Sequence, residues 1–573
     1  MDEFLARLKR QPGLAGRLVL ATLLANLLAL AQPLFTIQVL NRYVAHGVDS
    51  TLATLTIGVV IAIGAEYLFR QLRNGLSKRI NDPVNEEITL AGLAVLAQAK
   101  LQALESIPAG RRRELVGSAA EIEGAFNASN LSALLDLPFS LIFIIVLFLL
   151  SPVLGLVTLA FIAALFLFGL RQTAAVRTAN AELKTASGRA HPLLETAIRE
   201  ADTVHVFNAQ AFMRRAWFEA SHAAMILRGQ VADRQATVQG VSQTGTALLN
   251  VAIYAVGALL VVAGKLDVGM MIGASILSSR ALQPTTRFAQ IGGALARAKQ
   301  ALRQLEEFAR LPLEAERGTA KTNFSGRVEL RDVAFFYPGA SGPLFEHLSL
   351  VLEPGAVYIV SGNSGTGKTT LMRLFTGLLE PVRGQVLVDG IDLRQVAPTW
   401  WRSQIVYLPQ EPTFLNASIA DNLKVANPGA DMARLNAVIA QAGLRRFLDE
   451  SPKGFETPVI DNGRQLAVGV RRALALARAL MSDGRLVLID EMFDGFDGEG
   501  RAAISAAVNR LAQEQRTVLI TSHRANSMEG IRALIDLNQK PEPRIVQAVA
   551  KSGAALNLDG LGERRGAERA ANG

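Results

Sequence analysis

Gly362-Asn-Ser-Gly-Thr-Gly-Lys-Thr369 follows the apolar run Val357-Tyr-Ile-Val360 and opens a stretch of helix formers toward Leu379. The octet fits G-x-x-x-x-G-K-[ST]. A strand before it and a helix after it form the context in which that pattern binds phosphate. Glycines let backbone N–H groups converge on phosphate oxygens, and the helix N-terminus adds the positive end of its dipole. Lys368 is expected to reach the β- and γ-phosphates and Thr369 to ligate Mg²⁺. The nucleotide-binding set read here is Gly362, Asn363, Ser364, Gly365, Thr366, Gly367, Lys368, Thr369 and Thr370.

Further along, Arg485-Leu-Val-Leu-Ile-Asp490-Glu491 reads as an apolar strand ending in two acids. Asp490 is placed to hold Mg²⁺ and Glu491 to polarise an attacking water. Tyr337, in Ala334-Phe-Phe-Tyr337-Pro338, offers a ring for adenine. Gln410, in Tyr407-Leu-Pro-Gln410-Glu411-Pro412, lies on a loop between the two phosphate motifs and joins the catalytic and Mg²⁺-binding sets. His523, in Leu519-Ile-Thr-Ser-His523-Arg524, ends another apolar strand and is expected to contact the γ-phosphate. ATP with Mg²⁺ is the ligand these residues imply.

Upstream the composition changes. Half of the 573 residues are apolar and only 19% are charged, against about 25% in an ordinary soluble domain. A membrane helix needs about 20 mostly apolar residues. The runs Leu18–Leu40, Leu52–Phe69, Leu131–Leu150, Val153–Leu170, Ala247–Ala263 and Met270–Leu282 give six expected spans, the last the least apolar. Leu141-Ile-Phe-Ile-Ile-Val-Leu-Phe-Leu-Leu150 has no polar face at all. The first run is too long for the apolar core of a cleaved signal, and no small-residue cleavage site follows it. Arg and Lys crowd before the first run and after the second and fourth, which predicts both termini on the cytoplasmic side. The absence of cysteine removes disulfides, zinc fingers and thiolate clusters. The net charge of +9 is assigned to loops beside the membrane, not to nucleic-acid binding.

The stretches 70–130 and 171–246 are polar and rich in helix formers, so they read as helical extensions of the spans. The expected organisation is a cytoplasmic N-terminus over 1–17 and a six-helix transmembrane domain over 18–310. A linker over 311–323, an α/β P-loop ATPase domain over 324–547 and a disordered tail over 548–573 follow.

Taken in this order, the ATPase motifs resemble the nucleotide-binding domain of an ATP-binding cassette (ABC) protein. Six spans fused before it resemble an ABC exporter half-transporter. The resemblance implies a dimer of halves, homodimeric or heterodimeric, with each ATP held between the phosphate loop of one half and the signature loop of the other. Pro33-Leu-Phe-Thr-Ile-Gln-Val-Leu-Asn-Arg-Tyr43, Leu134-Leu-Asp-Leu-Pro-Phe139 and Arg280-Ala-Leu-Gln-Pro284 are similar to type I secretion permease/ATPases. That implies export of an unfolded polypeptide from a bacterial inner membrane, with a periplasmic membrane fusion protein and an outer-membrane channel. Export of a lipid or small molecule, or a regulatory ATP-binding role, are the alternatives. Some members carry an N-terminal Cys peptidase-like domain; without any cysteine, and with the first span at Leu18, none is expected here.

One motif departs from the family. Where the signature has Leu-Ser-Gly-Gly-Gln, this chain has Leu466-Ala-Val-Gly-Val470, and Met492-Phe-Asp-Gly-Phe-Asp497 replaces Ala-Thr-Ser-Ala-Leu-Asp. Ala467 has no hydroxyl to donate, and Val468 puts a branched Cβ where close approach or an unusual φ is needed. Slow turnover alone, or pairing with a partner whose signature is intact, follows. Asp136 and Glu66 read as boundary carboxylates in contact with water or an interfacial Arg, with an intramembrane functional acid as the alternative. Arg111-Arg-Arg113 reads as a solvated loop or an anionic-lipid contact, and Glu195–Phe218 resembles a cytoplasmic lever that docks on a partner's ATPase domain or is a plain amphipathic helix. Trp400-Trp401 read as packing or as a docking surface for that lever, not as a binding site.

Overall fold

The computed structural model describes residues 2–44, 49–321, 323–340, 342–491, 498–522 and 531–547. The expected tail, His523 and Met492–Asp497 lie outside these residues. The chain divides into two units, Met1–Ala99 with Ile107–Pro312, and Lys100–Ser106 with Leu313–Gly573.

The first unit is helical. Among its described residues, five helices are long and apolar enough to cross a membrane: Pro12–Tyr43, Asp49–Gln98, Ala128–Leu150, Pro152–Gln172 and Gln210–Val262. The sixth expected run lies in the helix Val268–Ala309, which is not in that set. Its glycines, serines and Arg280 dilute its hydropathy. They also let it sit centrally: a Cβ on Gly273 would overlap the Ile37 side chain, and Gly269 N–H donates to Asn41 Oδ1 at 3.2 Å. Leu147, Leu154, Leu249, Ile253 and Leu277 are fully buried at the centre, where the Thr158 and Ser278 hydroxyls pair at 2.9 Å. Leu149 (81% exposed), Leu259 (73%) and Val262 (89%) turn apolar surface outward, as only a lipid-facing helix tolerates in number.

The long polar stretches are helical, as their composition leads one to expect. Helices Pro152–Arg199 and Gln210–Val262 run on well past the apolar windows, joined through the short helix Ala201–Val206. Arg111–Arg113 lie on the helix Ala109–Ala125 and not in a loop. There Arg111 pairs with Glu114 at 2.9 Å, one helical turn on, which offsets the crowding of three cations.

Asp136 and Glu66 both contact arginine, one of the two contacts that the boundary reading expects. Asp136 is buried and accepts from Arg73 Nη1 at 2.6 Å and Asn26 Nδ2 at 3.1 Å. Glu66 pairs with Arg70 at 2.7 Å and Arg280 at 3.6 Å. A charge in an apolar bundle persists only when paired this way.

The second unit carries two sheets. Strands β1 (Val328–Phe335), β2 (Phe345–Leu352), β4 (Arg383–Val388) and β5 (Ile391–Asp392) form an antiparallel sheet of order β2-β1-β4-β5. The larger sheet joins β3 (Val357–Ser361), β6 (Ile405–Leu408), β7 (Leu486–Asp490), β8 (Thr517–Ser522), β9 (Ala533–Asp536) and β10 (Arg544–Gln547) in the order β10-β9-β3-β8-β7-β6. All its pairings are parallel except β9 with β10. The central strands are buried along their length, which explains their unbroken Val, Leu and Ile. Trp401 is core, with Nε1 donating to the Phe375 carbonyl at 2.9 Å; Trp400 packs beside it.

Candidate active site

Strand register assembles the site. β3 and β7 flank β8, with Ser361 opposite Ser522 and Asp490 opposite Thr521. The phosphate loop leaves β3, and the acidic pair ends β7, at the same carboxyl edge of the sheet, where ligands of open α/β folds bind.

The loop turns through Gly365 (φ 81°) and Gly367 (φ 100°), a region that favours glycine. At Gly367 a Cβ would also lie 2.7 Å from the Phe345 ring. Gly367 caps the helix Lys368–Phe375, whose free N–H groups face back over the loop. The helix stops before Gly377 (φ 70°), shorter than the run to Leu379 had implied.

Lys368 is 5% exposed in its side chain; Nζ donates to the carbonyls of Gly362 (2.6 Å) and Asn363 (3.0 Å) and pairs with Glu491 Oε1 at 2.8 Å. Gln410 Nε2 donates to the other Glu491 oxygen at 2.6 Å. Glu491 has a left-handed backbone (φ 47°), which costs a non-glycine residue about 1–3 kcal/mol. Its own N–H, donating to Thr521 Oγ1 at 2.8 Å, holds it there.

Asp490 is fully buried. Thr521 donates to its Oδ1 at 2.8 Å, and Oδ2 has no hydrogen-bond partner among the described residues. Burial pushes the Asp490 carboxyl above its usual range; the Thr521 and Thr369 hydroxyls pull it back, Glu491 adds to the rise and Lys368 opposes it. A buried carboxylate oxygen without a donor, beside the Thr369 hydroxyl, fits a divalent cation. Tyr407 is pushed up to about 12 by burial and by the Asp490 charge.

The geometry therefore brings Lys368, Thr369, Gln410, Asp490 and Glu491 into one site. Tyr337 reaches it through a hydroxyl contact of 3.0 Å with Thr370 Oγ1, its ring edge-on to Phe335. Three contributors carried no sequence signal. Thr521 lies inside an apolar strand pattern, and its bridging role depends on register. Asn538 Oδ1 accepts from Asn363 N–H at 2.9 Å, and Lys540 Nζ donates to the carbonyls of Thr366 and Leu344, both at 2.6 Å. Burial lowers the Lys540 ammonium below its ordinary value.

The degenerate signature begins the helix Val468–Leu480. Ala467 is its N-cap and makes no side-chain cap bond. Val468, 51% exposed, is the first helical residue, so the expected unusual φ does not occur. What remains of the departure is a missing hydroxyl and an exposed isopropyl group at an open helix N-terminus.

A P-loop ATPase fused to a bundle of bilayer-length apolar helices is the class this fold and site define. The model of the ABC transporter transmembrane region matches residues 17–284, and that of the ABC transporter matches residues 345–494. The chain belongs to the ABC transporter family: it is a multi-pass membrane ATPase of exporter type, with membrane and ATP-binding domains in one polypeptide. It is 29% identical over 532 residues to the cyclolysin secretion/processing ATP-binding protein CyaB of Bordetella pertussis, covering 92% of this chain and 74% of that one. To the alpha-hemolysin translocation ATP-binding protein HlyB of Escherichia coli it is 26% identical over 513 residues, 89% of this chain and 72% of that one. The structure of a bacterial Atm1-family ABC exporter with ATP bound superposes with a TM-score of 0.79 at 21% identity, covering 92% and 94% of the two chains.

Proposed function

We propose that this chain is the inner-membrane subunit of a type I secretion apparatus, exporting an unfolded polypeptide with energy from ATP. The observation that carries the cargo class is the similarity, over about nine-tenths of the chain, to proteins named for cyclolysin secretion and alpha-hemolysin translocation. Six spans with cytoplasmic termini, a second half-transporter, a periplasmic membrane fusion protein and an outer-membrane channel belong to this reading.

The residues divide the work. The phosphate loop and Lys368 hold the polyphosphate, and Tyr337 supports the base. Asp490 and Thr369, with Gln410, would hold Mg²⁺, which would neutralise phosphate charge there. Glu491 accepts the proton of the attacking water. Its oxygens are held by Lys368 and Gln410, so arriving phosphates that draw Lys368 away also release the base. Arg373, in the last turn of the same helix, pairs with Glu105 at 3.1 Å, which ties nucleotide occupancy to the short helix Leu101–Glu105.

The open, hydroxyl-free signature at Ala467-Val468 favours a heterodimer in which a partner supplies an intact signature. The test is the ATPase rate of the purified chain in lipid nanodiscs, alone and with an unfolded polypeptide. Export predicts stimulation by the polypeptide, abolished by Glu491→Gln with ATP binding retained. Brisk turnover of the chain alone would rule out a required partner; polypeptide that stimulates neither the chain alone nor the complex it forms in its native membrane would rule out the cargo class.

A further inference from the structure

Where the helices Pro152–Arg199, Gln210–Val262 and Val268–Ala309 converge, Gln172, Gln235, Gln239 and Gln290 line one cavity of ≈ 300 Å³. The four glutamines are its polar lining, and the one charged group that reaches its edge among the described residues is Arg297, whose Nη1 lies 4.0 Å from where a Gly293 Cβ would stand. Gln235, Gln239 and Gln290 are exposed and Gln172 is half-buried, and no hydrogen bond within the described chain occupies their amides. Gly293 leaves the space open: a Cβ there would lie 3.4 Å from Val176 Cγ1 and 3.7 Å from Gln235 Nε2. Arg234, next to Gln235, turns its guanidinium away into the Ala175 carbonyl at 2.6 Å, which fixes two of the helices at this height.

The pattern extends beyond the cavity. Gln235, Gln239, Gln243, Thr246 and Asn250 recur at spacings of four, four, three and four residues, so they share one helix face. Asn250 Oδ1 is already used by Ser275 and Ser279, at 3.2 and 3.0 Å. The lower part of the stripe is not used by the protein.

We propose that this cavity binds the main chain of an unfolded polypeptide through amide–amide hydrogen bonds. The proposal rests on the export reading and deepens it. Every residue of a cargo except proline presents the same N–H and C=O, whatever its side chain. A glutamine amide carries both complements, two donors and an acceptor. Neutral amide bonds are individually weak against water, so a chain can be held and released step by step. Charged groups in the same place would bind oppositely charged segments more strongly and stall them.

The test uses the full-length chain in lipid nanodiscs with a photocrosslinking residue in place of Gln239. The probes are an uncharged Gly/Ser/Asn polypeptide and its backbone N-methylated counterpart, which lacks N–H donors. Capture of the first, reduced about tenfold or more for the second, is expected, since one such bond is worth roughly that factor. Gln235→Leu with Gln290→Leu, and separately Gly293→Leu, should reduce capture similarly. Gln290→Glu, read with the same crosslinker, should instead retain Lys-rich over Glu-rich polypeptides. Equal capture of the two probes, or capture of a second copy of this chain in their place, would overturn the proposal. If polypeptide stimulates the ATPase but is never captured at position 239, the cavity is wrong and export stands; if it neither stimulates nor is captured anywhere, both fail.

Discussion

Asp490 concentrates the chemistry of the site in one side chain. Its carboxyl is raised by burial, so the folded chain holds that proton more tightly than the unfolded chain does. Between the ordinary carboxylate range and the raised value, the unfolded state therefore binds fewer protons, and this group's contribution to stability falls as pH rises. Above that window the ionised carboxylate is a standing cost, relieved when a cation engages Oδ2. Asp490→Asn should melt higher than the parent in the absence of nucleotide at neutral pH, with the difference shrinking as pH falls through the window. It should also lose the Mg²⁺-dependent part of the ATP-induced melting shift and about 10²–10³ of the hydrolysis rate, the usual loss when one preorganised electrostatic group is removed. Differential scanning fluorimetry across pH, with a phosphate-release assay, checks both. At the signature, Ala467→Ser with Val468→Gly restores a hydroxyl and clears the exposed isopropyl group. In a homodimer this pair should raise the ATPase rate of the purified chain about 10²-fold; no change would mean that another half supplies the working signature.

Among the elements, the Arg73–Asp136 pair joins the helices Asp49–Gln98 and Ala128–Leu150 inside the bundle. Removing one member leaves the other charge buried, at a cost of about 3–5 kcal/mol, whereas replacing both with apolar groups removes the desolvation cost too. Asp136→Leu and Arg73→Met should each lower thermal stability in detergent strongly, and the double variant much less, a coupling that a double-mutant cycle measures. The sequence marked Asp136 as a charge near the membrane. It could not reveal its partner, because Arg73 lies 63 residues earlier and only the packing of two helices brings them within 2.6 Å. The phosphate loop, the acidic strand end and Gln410 were legible because each is a local pattern with a local mechanism. Thr521, Asn538 and Lys540 were not, since each acts through register or through a turn that folds back on the loop from far along the chain. Arg111–Arg113 misled for the converse reason: three adjacent cations suggest a loop, yet carboxylates one turn away and on a neighbouring helix, Glu114 and Glu195, make a helix tolerable.

For the molecule as a whole, the division into membrane and nucleotide halves was readable from composition alone, but its boundary was not. Residues Lys100–Ser106 belong with the nucleotide unit although the chain on both sides of them belongs to the helical one. Lys100 pairs with Glu380 at 2.7 Å and Glu105 with Arg373 at 3.1 Å. The polypeptide therefore passes between the units at three points, not one. Anyone dissecting this protein at the obvious joint after Pro312 removes a piece of the motor along with the bundle. A recombinant fragment cut there carries Glu380 and Arg373 stripped of their counter-charges.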